Sequence, residues 1–277
     1  MNKILLTGSS GFVGSYLTTH FNSIDLSIFG LSINGGYDIS NYESISRIEG
    51  EYDLFIHCAS AFNGDDIDSC IQNEMINSIG ALNICKLALK VKCRFFIYFS
   101  SISVIENPAN EYYNSYGISK KHAEDNIIFF CKKNNIKCLI LRFSQIYDSE
   151  GKAKHHQPFL YNIIEKVKND EEILIYGSKN PVRNFIHIDD VCEIVTQSFN
   201  KKLEGSYHCI HPNSYTLLEI IKIAGNILNK TPKIRILLDK NNISSIFIPN
   251  DFSIYDILSY YPKINLEDGI KNIISRL

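Results

Sequence analysis

Two side chains four positions apart could do proton chemistry. Tyr116-Gly117-Ile118-Ser119-Lys120 is a Tyr-x-x-x-Lys. On a helix, residues i and i+4 share one face, so the phenol and the ammonium point into the same space. A phenol of pKa ~10 is a poor base at neutral pH, and a nearby cation lowers that value by favouring phenolate. Upstream, the apolar run Phe95–Phe99 passes into Ser100-Ser101. A hydroxyl at a strand end there can hold the substrate oxygen on which Tyr116 works. The bland alternative makes Tyr116 a half-buried helix residue and Lys120 a surface lysine, since chance matches to so short a pattern are common.

A second constellation supplies a place for a cofactor. Gly8-Ser9-Ser10-Gly11-Phe12-Val13-Gly14 follows the first apolar run and opens a helical pattern. One glycine permits a tight turn, another lets backbone approach a pyrophosphate, and a third lets helix pack close to strand. The N–H groups of Ser10, Gly11, Phe12 and Val13 then face the phosphates at a helix N-terminus. A P-loop is excluded, because no Gly-Lys-Ser/Thr follows. A ligand-free glycine turn is the alternative. The next strand ends Phe29-Gly30-Leu31-Ser32, with Ser32 where an acid would hold the ribose 2′-hydroxyl. Its absence favours NADP over NAD, although no arginine follows to hold the 2′-phosphate.

The elements that must position these residues show a regular rhythm. Lys3–Thr7, Leu26–Leu31, Leu54–His57, Phe95–Phe99 and Cys138–Leu141 are short runs of consecutive apolar residues, as in a parallel sheet buried under helices. Between them, Ile67, Ile71, Met75 and Ile79 repeat every four residues, and Leu82 and Leu87 continue the apolar side, which predicts a long helix over Asp65–Lys90. Ser115–Asn134 reads as another. The expected fold class is α/β: a doubly wound parallel Rossmann sheet over residues 1–150, with a small C-terminal α/β substrate-binding annex over 151–277. In the annex, helices Pro158–Lys168, Val191–Asn200, Leu217–Leu228 and Leu266–Ile274 alternate with strands Ile173–Tyr176, Tyr207–Ile210 and Lys233–Ile236. The chain is expected to return to the sheet around 181–200.

Bulk properties exclude several classes. At 277 residues and 45% hydrophobic content, the chain can bury a full core. A net charge of −2 gives no basic field for nucleic acid and no polybasic stretch for a membrane surface. Ile4-Leu5-Leu6 is too short for a signal-peptide core, and no apolar run approaches the ~18 residues of a bilayer span. Eight scattered cysteines without a Cys-x-x-Cys pair suit free thiols in a reducing cytoplasm. His208-Cys209-x-His211 lacks the further ligands of a metal site, so no metal is expected. His155-His156 is expected on an exposed loop. His187-Ile188-Asp189-Asp190 reads as an N-terminal cap for a helix starting near Val191.

Together these segments resemble the extended short-chain dehydrogenase/reductases that modify nucleotide-activated sugars, over nearly the whole chain. Phe55-Ile56-His57-Cys58-Ala59-Ser60 resembles the family's third-strand motif bordering the cofactor. Asp38-Ile39 resembles its adenine-contacting pair. Asn77-Ser78-Ile79-Gly80-Ala81-Leu82-Asn83 resembles the long-helix motif whose first Asn, here Asn77, lies near the nicotinamide end. Leu141-Arg142-Phe143-Ser144-Gln145-Ile146-Tyr147 resembles the fifth-strand motif, and Arg183-Asn184-Phe185-Ile186-His187-Ile188-Asp189-Asp190 the annex motif whose arginine grips the nucleotide diphosphate.

The resemblance implies Ser101, Tyr116 and Lys120 as catalytic and Arg183 at the substrate phosphates, where a guanidinium gives bidentate hydrogen bonds. It also implies Cys58, Ala59, Ser60, Asn77, Phe99 and Phe143 around the cofactor and Gln145 near the substrate, with Gln145 standing in place of the family's Asn. Ser101-Ile102-Ser103 replaces the Thr-Asp-Glu of the 4,6-dehydratases, so dehydration is not expected. Ile105 replaces the usual Tyr of Val-Tyr-Gly, and only 15 residues separate Ser101 from Tyr116, a shorter insert than the family's epimerases show. The reading is an NAD(P)-dependent oxidoreductase of a nucleotide-diphosphate sugar, a 4-ketoreductase using NADPH or a 4-epimerase with tightly held NAD. The missing ribose acid, the short chain and the trimmed insert lean toward the reductase. A non-catalytic dinucleotide sensor is the alternative from another class, opposed by the retained Ser101, Tyr116 and Lys120. The two long helices imply a homodimer, by likeness to the family's four-helix interface.

Overall fold

Five apolar runs form parallel neighbours in one sheet: four are buried over most of their length, and the one ending at Leu31 lies at the edge, largely exposed. They are β1 (Lys3–Thr7), β2 (Ser27–Leu31), β3 (Leu54–His57), β4 (Phe95–Ser101) and β5 (Lys137–Phe143). The computed structural model describes residues 3–276. Between the strands run α1 (Phe12–Ser23), the short α2 (Tyr42–Ser46), α3 (Ile67–Asn73), a π-helical stretch Glu74–Ile79, α4 (Gly80–Lys90) and α5 (Ser115–Lys133). Then follow β6 (Gln145–Tyr147), α6 (Pro158–Lys168), β7 (Glu172–Tyr176), β8 (Val182–Arg183), β9 (Phe185–His187) and α7 (Ile188–Lys201). The chain continues with β10 (Gly205–Cys209), β11 (Tyr215–Thr216), α8 (Leu217–Leu228), β12 (Lys233–Leu237), α9 (Ser253–Leu258) and α10 (Leu266–Arg276).

The main sheet has six strands in the order β10-β5-β4-β3-β1-β2, all parallel. The winding reverses between β1 and β3, and ligands of such sheets bind beyond the strand C-termini at that switch. One face packs on α1, α7 and α9 through Leu17, Phe21, Val191, Ile194 and Ile254. The other packs on α4 and α5 through Ala81, Ile84, Leu87, Ala123 and Ile127. A third apolar cluster, with Leu160, Ile163, Ile220 and Ile270, holds the annex helices α6, α8 and α10 together.

The structure departs from the sequence reading in three places. The strand read at Tyr207–Ile210 and grouped with the annex is β10, the edge strand of the main sheet, paired with β5 from Gly205↔Leu139 to Cys209↔Phe143. The helix read from Val191 starts at Ile188, and within the motif read as its cap it is His187 that caps, accepting from the Asp189 N–H at 3.2 Å. Asp190 instead accepts from the backbone N–H groups of Lys263 and Ile264 and from the Tyr260 hydroxyl. The third departure concerns the four-residue apolar repeat. It does mark a helical stretch, but its side chains face outward: Ile67 is 72% exposed, and Ile71, Met75, Ile79 and Leu82 are also exposed. The buried face is the one carrying Asn73, Asn77, Ala81 and Ile84.

Candidate active site

At the tip of β1 the three glycines have separate structural reasons. Gly8 has φ +72°, and a Cβ there would lie 2.8 Å from the backbone nitrogen of Ala59. Gly14 lets α1 pass so close to the turn that a Cβ would lie 2.1 Å from the Gly8 carbonyl oxygen. Gly11 caps α1 in an extended conformation, and its N–H donates to the Gly8 carbonyl at 2.9 Å. Ser10 and Gly11 are exposed, and Phe12 and Val13 open the helix, so unpaired backbone donors face outward there. This cradle, too tight for a side chain at Gly8 and Gly14 and placed at a helix N-terminus, fits a dinucleotide pyrophosphate.

The loop after β2 holds Ser32, the residue expected at the ribose. Ser32 accepts from the Gly35 N–H at 3.3 Å, and the chain turns at Gly36 with φ +79°. Arg47 reaches back to this loop: its guanidinium lies 4.7 Å from the Tyr37 ring centroid and donates to the Gly36 carbonyl at 3.4 Å. A cation therefore stands on the Gly36–Tyr37 side of this loop, where no arginine directly follows in the sequence, because Arg47 lies fifteen positions beyond Ser32 and returns through α2. Asp38 holds its turn by accepting from the Ser40 N–H and hydroxyl at 2.9 and 2.7 Å, and Ile39 is buried against Gly80.

The proton-handling residues meet where β4 and α5 converge. Tyr116 is half-buried in the first turn of α5, with the Ser60 and Ser101 hydroxyls as polar neighbours of its phenol. Loss of water around the phenol pushes its pKa up to about 12, against the pull of those two hydroxyls. The sequence reading expected Lys120 to lower this value; instead Lys120 is engaged elsewhere. It is 2% exposed, donates to the Phe99 carbonyl at 2.6 Å, and holds its ammonium 4.2 Å from the Tyr98 ring centroid. Burial lowers its pKa to about 7, with Glu124 pulling the other way. Glu124 is in turn fully buried and paired with Arg142 through bonds of 2.9 and 2.6 Å. Ser101 accepts from the Ser103 N–H at 3.1 Å and its hydroxyl lies 3.0 Å from that of Ser103. Phe99 and Phe143, both buried, stack at 4.9 Å at the strand ends. Cys58 donates its thiol to the Thr7 carbonyl at 2.8 Å.

Asn77 is 1% exposed and fully engaged. Its Oδ1 accepts from the Ala61 N–H at 2.8 Å, and its Nδ2 donates to the Ala61 carbonyl and the Ser119 hydroxyl, both at 2.9 Å. Asn73, which the sequence reading did not single out, repeats the pattern on Asn63 and Ser115. A spacing of four from Asn77 on the same helical stretch was the available signal.

The annex side is more enclosed. Arg183 is 4% exposed, and its guanidinium donates to the carbonyls of Val182 and Ser244 at 3.0 and 2.8 Å. The Ser244 carbonyl belongs to residues 241–252, a segment without helix or strand that crosses from the annex to the 110–111 turn. Beside it lies a cleft of about 550 Å³ lined by Pro181, Ile210, His211, Phe247 and Phe252, of a size for a small organic ligand. Gln145 donates to Gln157 at 2.9 Å, and its Oε1 is buried without a hydrogen-bond partner among the described residues. A second cleft of about 620 Å³ carries Asp189, Asp190 and Glu193 and would repel a polyphosphate.

The remaining expectations concern other chemistries. All eight cysteines are free thiols. Among the described residues no three metal-binding side chains cluster, and no helix is long and apolar enough to cross a membrane. His156 is exposed and stacks on Phe12 at 5.9 Å.

Known proteins show the same architecture. The model of the NAD dependent epimerase/dehydratase family matches residues 4–209. The dTDP-4-dehydro-6-deoxyglucose reductase of Escherichia coli is 24% identical over 310 aligned residues, covering 100% of this chain and 98% of its own. The ADP-L-glycero-D-manno-heptose-6-epimerase of Brachyspira hyodysenteriae is 27% identical over 256 residues, covering 79% of each. Among solved structures, RMD from Pseudomonas aeruginosa complexed with NADPH aligns with a TM-score of 0.83 at 18% identity, over 100% of this chain and 98% of that one. The UDP-glucose 4-epimerase of Thermus thermophilus in complex with NAD gives 0.81 at 16%, over 99% and 98%. With its six-stranded parallel sheet and glycine cradle, the chain belongs to the NAD dependent epimerase/dehydratase family, as an NAD(P)-dependent enzyme of the extended short-chain dehydrogenase/reductase type.

Proposed function

We propose that the protein is a 4-ketoreductase of a nucleotide-linked 4-keto-6-deoxyhexose. One observation carries the choice: β2 is followed by Ser32, with no acid to repel a 2′-phosphate, which favours NADPH, the cofactor a reductase consumes. In this reading Tyr116 protonates the C4 oxygen while Ser101 holds it, and Ser103 orients the Ser101 hydroxyl. Lys120 supplies positive charge beneath the site. The bound dinucleotide supplies the hydride.

The cofactor contacts follow the same geometry. Gly8, Ser10, Gly11, Phe12, Val13 and Gly14 hold the pyrophosphate, and Asp38 and Ile39 border the adenine. Cys58, Ala59, Ser60, Phe99 and Phe143 enclose the nicotinamide end, with Asn77 fixing the loop that follows. Ser32 without an acid, and Arg47 on the same loop at Gly36 and Tyr37, support NADP. Arg183 takes the substrate diphosphate and Gln145 lies toward the sugar. The exposed stripe of Ile67, Ile71 and Met75 supports a homodimer, which sedimentation would check. The eight free thiols suit a reducing cytoplasm.

The test is direct. The purified protein is analysed by mass for bound dinucleotide, then mixed with NADPH and dTDP-4-dehydro-6-deoxyglucose, the substrate class named by the similar reductase. Stoichiometric loss of NADPH absorbance supports the reductase, and Tyr116→Phe should abolish it while leaving NADPH affinity within about twofold. Co-purified NAD with no net NADPH loss means the 4-epimerase instead. Turnover on no nucleotide sugar would leave the dinucleotide sensor.

A further inference from the structure

Phe62 is a large apolar side chain that is 66% exposed beside the phenol of Tyr116, with ring centroids 4.8 Å apart and planes at 69°. Single exposed apolar residues are ordinary. What sets this one apart is how its backbone is held. Residues 58–64 have no helix or strand, yet the positions on either side of Phe62 are each gripped by an asparagine. Ala61 exchanges N–H and C=O bonds with Asn77 at 2.8 and 2.9 Å, and Asn63 does the same with Asn73 at 3.0 and 3.5 Å.

The spacing explains why both grips form. Two residues of extended chain span roughly 6.6 Å, and four residues of helix rise about 6 Å, so carboxamides at positions 73 and 77 meet backbone at 61 and 63. Both asparagines are buried, and each also donates at 2.9 Å to a serine of the catalytic helix, Ser115 from Asn73 and Ser119 from Asn77. The Ser115 hydroxyl donates in turn to the Gly64 carbonyl at 2.8 Å. The loop is thereby tied at three points to the helix that carries Tyr116. An exposed aromatic ring on a fixed backbone, touching the catalytic phenol, has already lost much of the freedom that binding would cost it.

We infer that Phe62 is a substrate-contacting residue that takes the C–H face of the hexose, and that it selects for sugars turning an apolar edge toward it. This rests on the reaction proposed above. The sugar oxygen must come within hydrogen-bond reach of the Tyr116 hydroxyl, which brings the rest of the pyranose beside a ring 4.8 Å from that phenol. An aromatic face gains from C–H groups and deoxy carbons and offers no hydrogen bond to a hydroxyl or carboxylate.

The test compares wild type, Phe62→Ala and Phe62→Tyr, each loaded with NADPH or NADP. Turnover and KM are measured with dTDP-4-dehydro-6-deoxyglucose, and calorimetry gives the affinities of UDP-glucose, dTDP and UDP. Because Phe62 is mostly exposed, Phe62→Ala should keep the wild-type melting temperature. It should weaken both nucleotide sugars about tenfold and leave dTDP, UDP and NADPH unchanged, while Phe62→Tyr restores sugar binding to within about twofold. Loss on the free nucleotides equal to that on the sugars, loss of NADPH affinity instead, or no change at all overturns the assignment. Wild type that binds no nucleotide sugar overturns the reductase reading and this assignment with it. Wild type that binds one while Phe62→Ala is unaffected overturns this assignment alone.

Discussion

The Lys120 ammonium is held between the face of the Tyr98 ring, 4.2 Å from its centroid, and the Phe99 carbonyl, 2.6 Å away. Tyr98 is completely buried and its hydroxyl has no hydrogen-bond partner among the described residues, so the ring packs for its face rather than its polar end. A charge in so dry a place costs stability, and burial holds the Lys120 pKa at about 7 in the folded chain against 10.5 for the free side chain.

The cost has a definite pH signature. Between pH 7 and 10.5 the unfolded chain binds more protons at this lysine than the folded one, so its contribution makes folding stability rise with pH across that window. Below pH 7 both states are protonated and the full penalty applies. Lys120→Met should therefore melt higher than wild type at pH 6, and the gap should close by pH 10. Thermal melts of both proteins at several pH values, in the absence of dinucleotide, check this. A gap that widens with pH would contradict the buried ammonium. The same variant should lose turnover.

The glycines of the first turn should separate folding from binding. Gly14→Ala places a methyl 2.1 Å from the Gly8 oxygen, which α1 can accept only by moving off the sheet. A stability loss of roughly 3 kcal/mol is expected, read by denaturant titration. Gly11→Ala meets only the Gly8 oxygen at 3.2 Å and has a φ of −75° that alanine adopts freely. It should fold normally yet bind NADPH roughly tenfold more weakly, because its methyl stands on the outer face of the cradle. NADPH fluorescence titration of folded Gly11→Ala measures that loss, and undiminished affinity would take Gly11 out of the pyrophosphate site.

Arg183 makes a different split. Two of its N–H donors are spent on the carbonyls of Val182 and Ser244, leaving others for an anion. Arg183→Ala should raise KM for the nucleotide sugar at least roughly tenfold, as expected for loss of a charge-assisted hydrogen bond, and change NADPH affinity little. Equal effects on both ligands would remove Arg183 from the substrate side. Loss of the bond to Ser244 should also make residues 241–252 exchange amide hydrogens faster.

Local pattern was enough for much of this protein. β1, β3, β4 and β5 could be read because parallel strands buried on both faces must be apolar on consecutive residues, while the largely exposed edge strand β2 followed from its place in the strand–helix rhythm. Gly8, Gly11 and Gly14 could be read because a turn with φ +72° and a helix start admit few other residues. Tyr116 and Lys120 could be placed on one helix by their spacing alone. The four-residue apolar repeat at Ile67, Ile71 and Met75 located a helix but not its buried side, since periodicity gives a face and not what covers it.

What tertiary structure decided are the encounters between residues distant in the chain. Arg47 meets the loop after β2 at Gly36 only because α2 folds the chain back, and β10 joins the main sheet only because α7 carries it there. The direction of the Tyr116 shift depends on how much water β4, α5 and the 58–64 loop exclude, and no sequence spacing encodes that balance. The asparagine grips around Phe62 need a helix and an extended loop to lie side by side at matching rise. Sequence by itself determined the main strands and helices and the chemical types available to the site; the short elements α2, β6, β8, β9, β11 and α9, which residues touch, and which charges are stripped of solvent were decided by long-range packing, because burial and contact are properties of the whole assembly of elements.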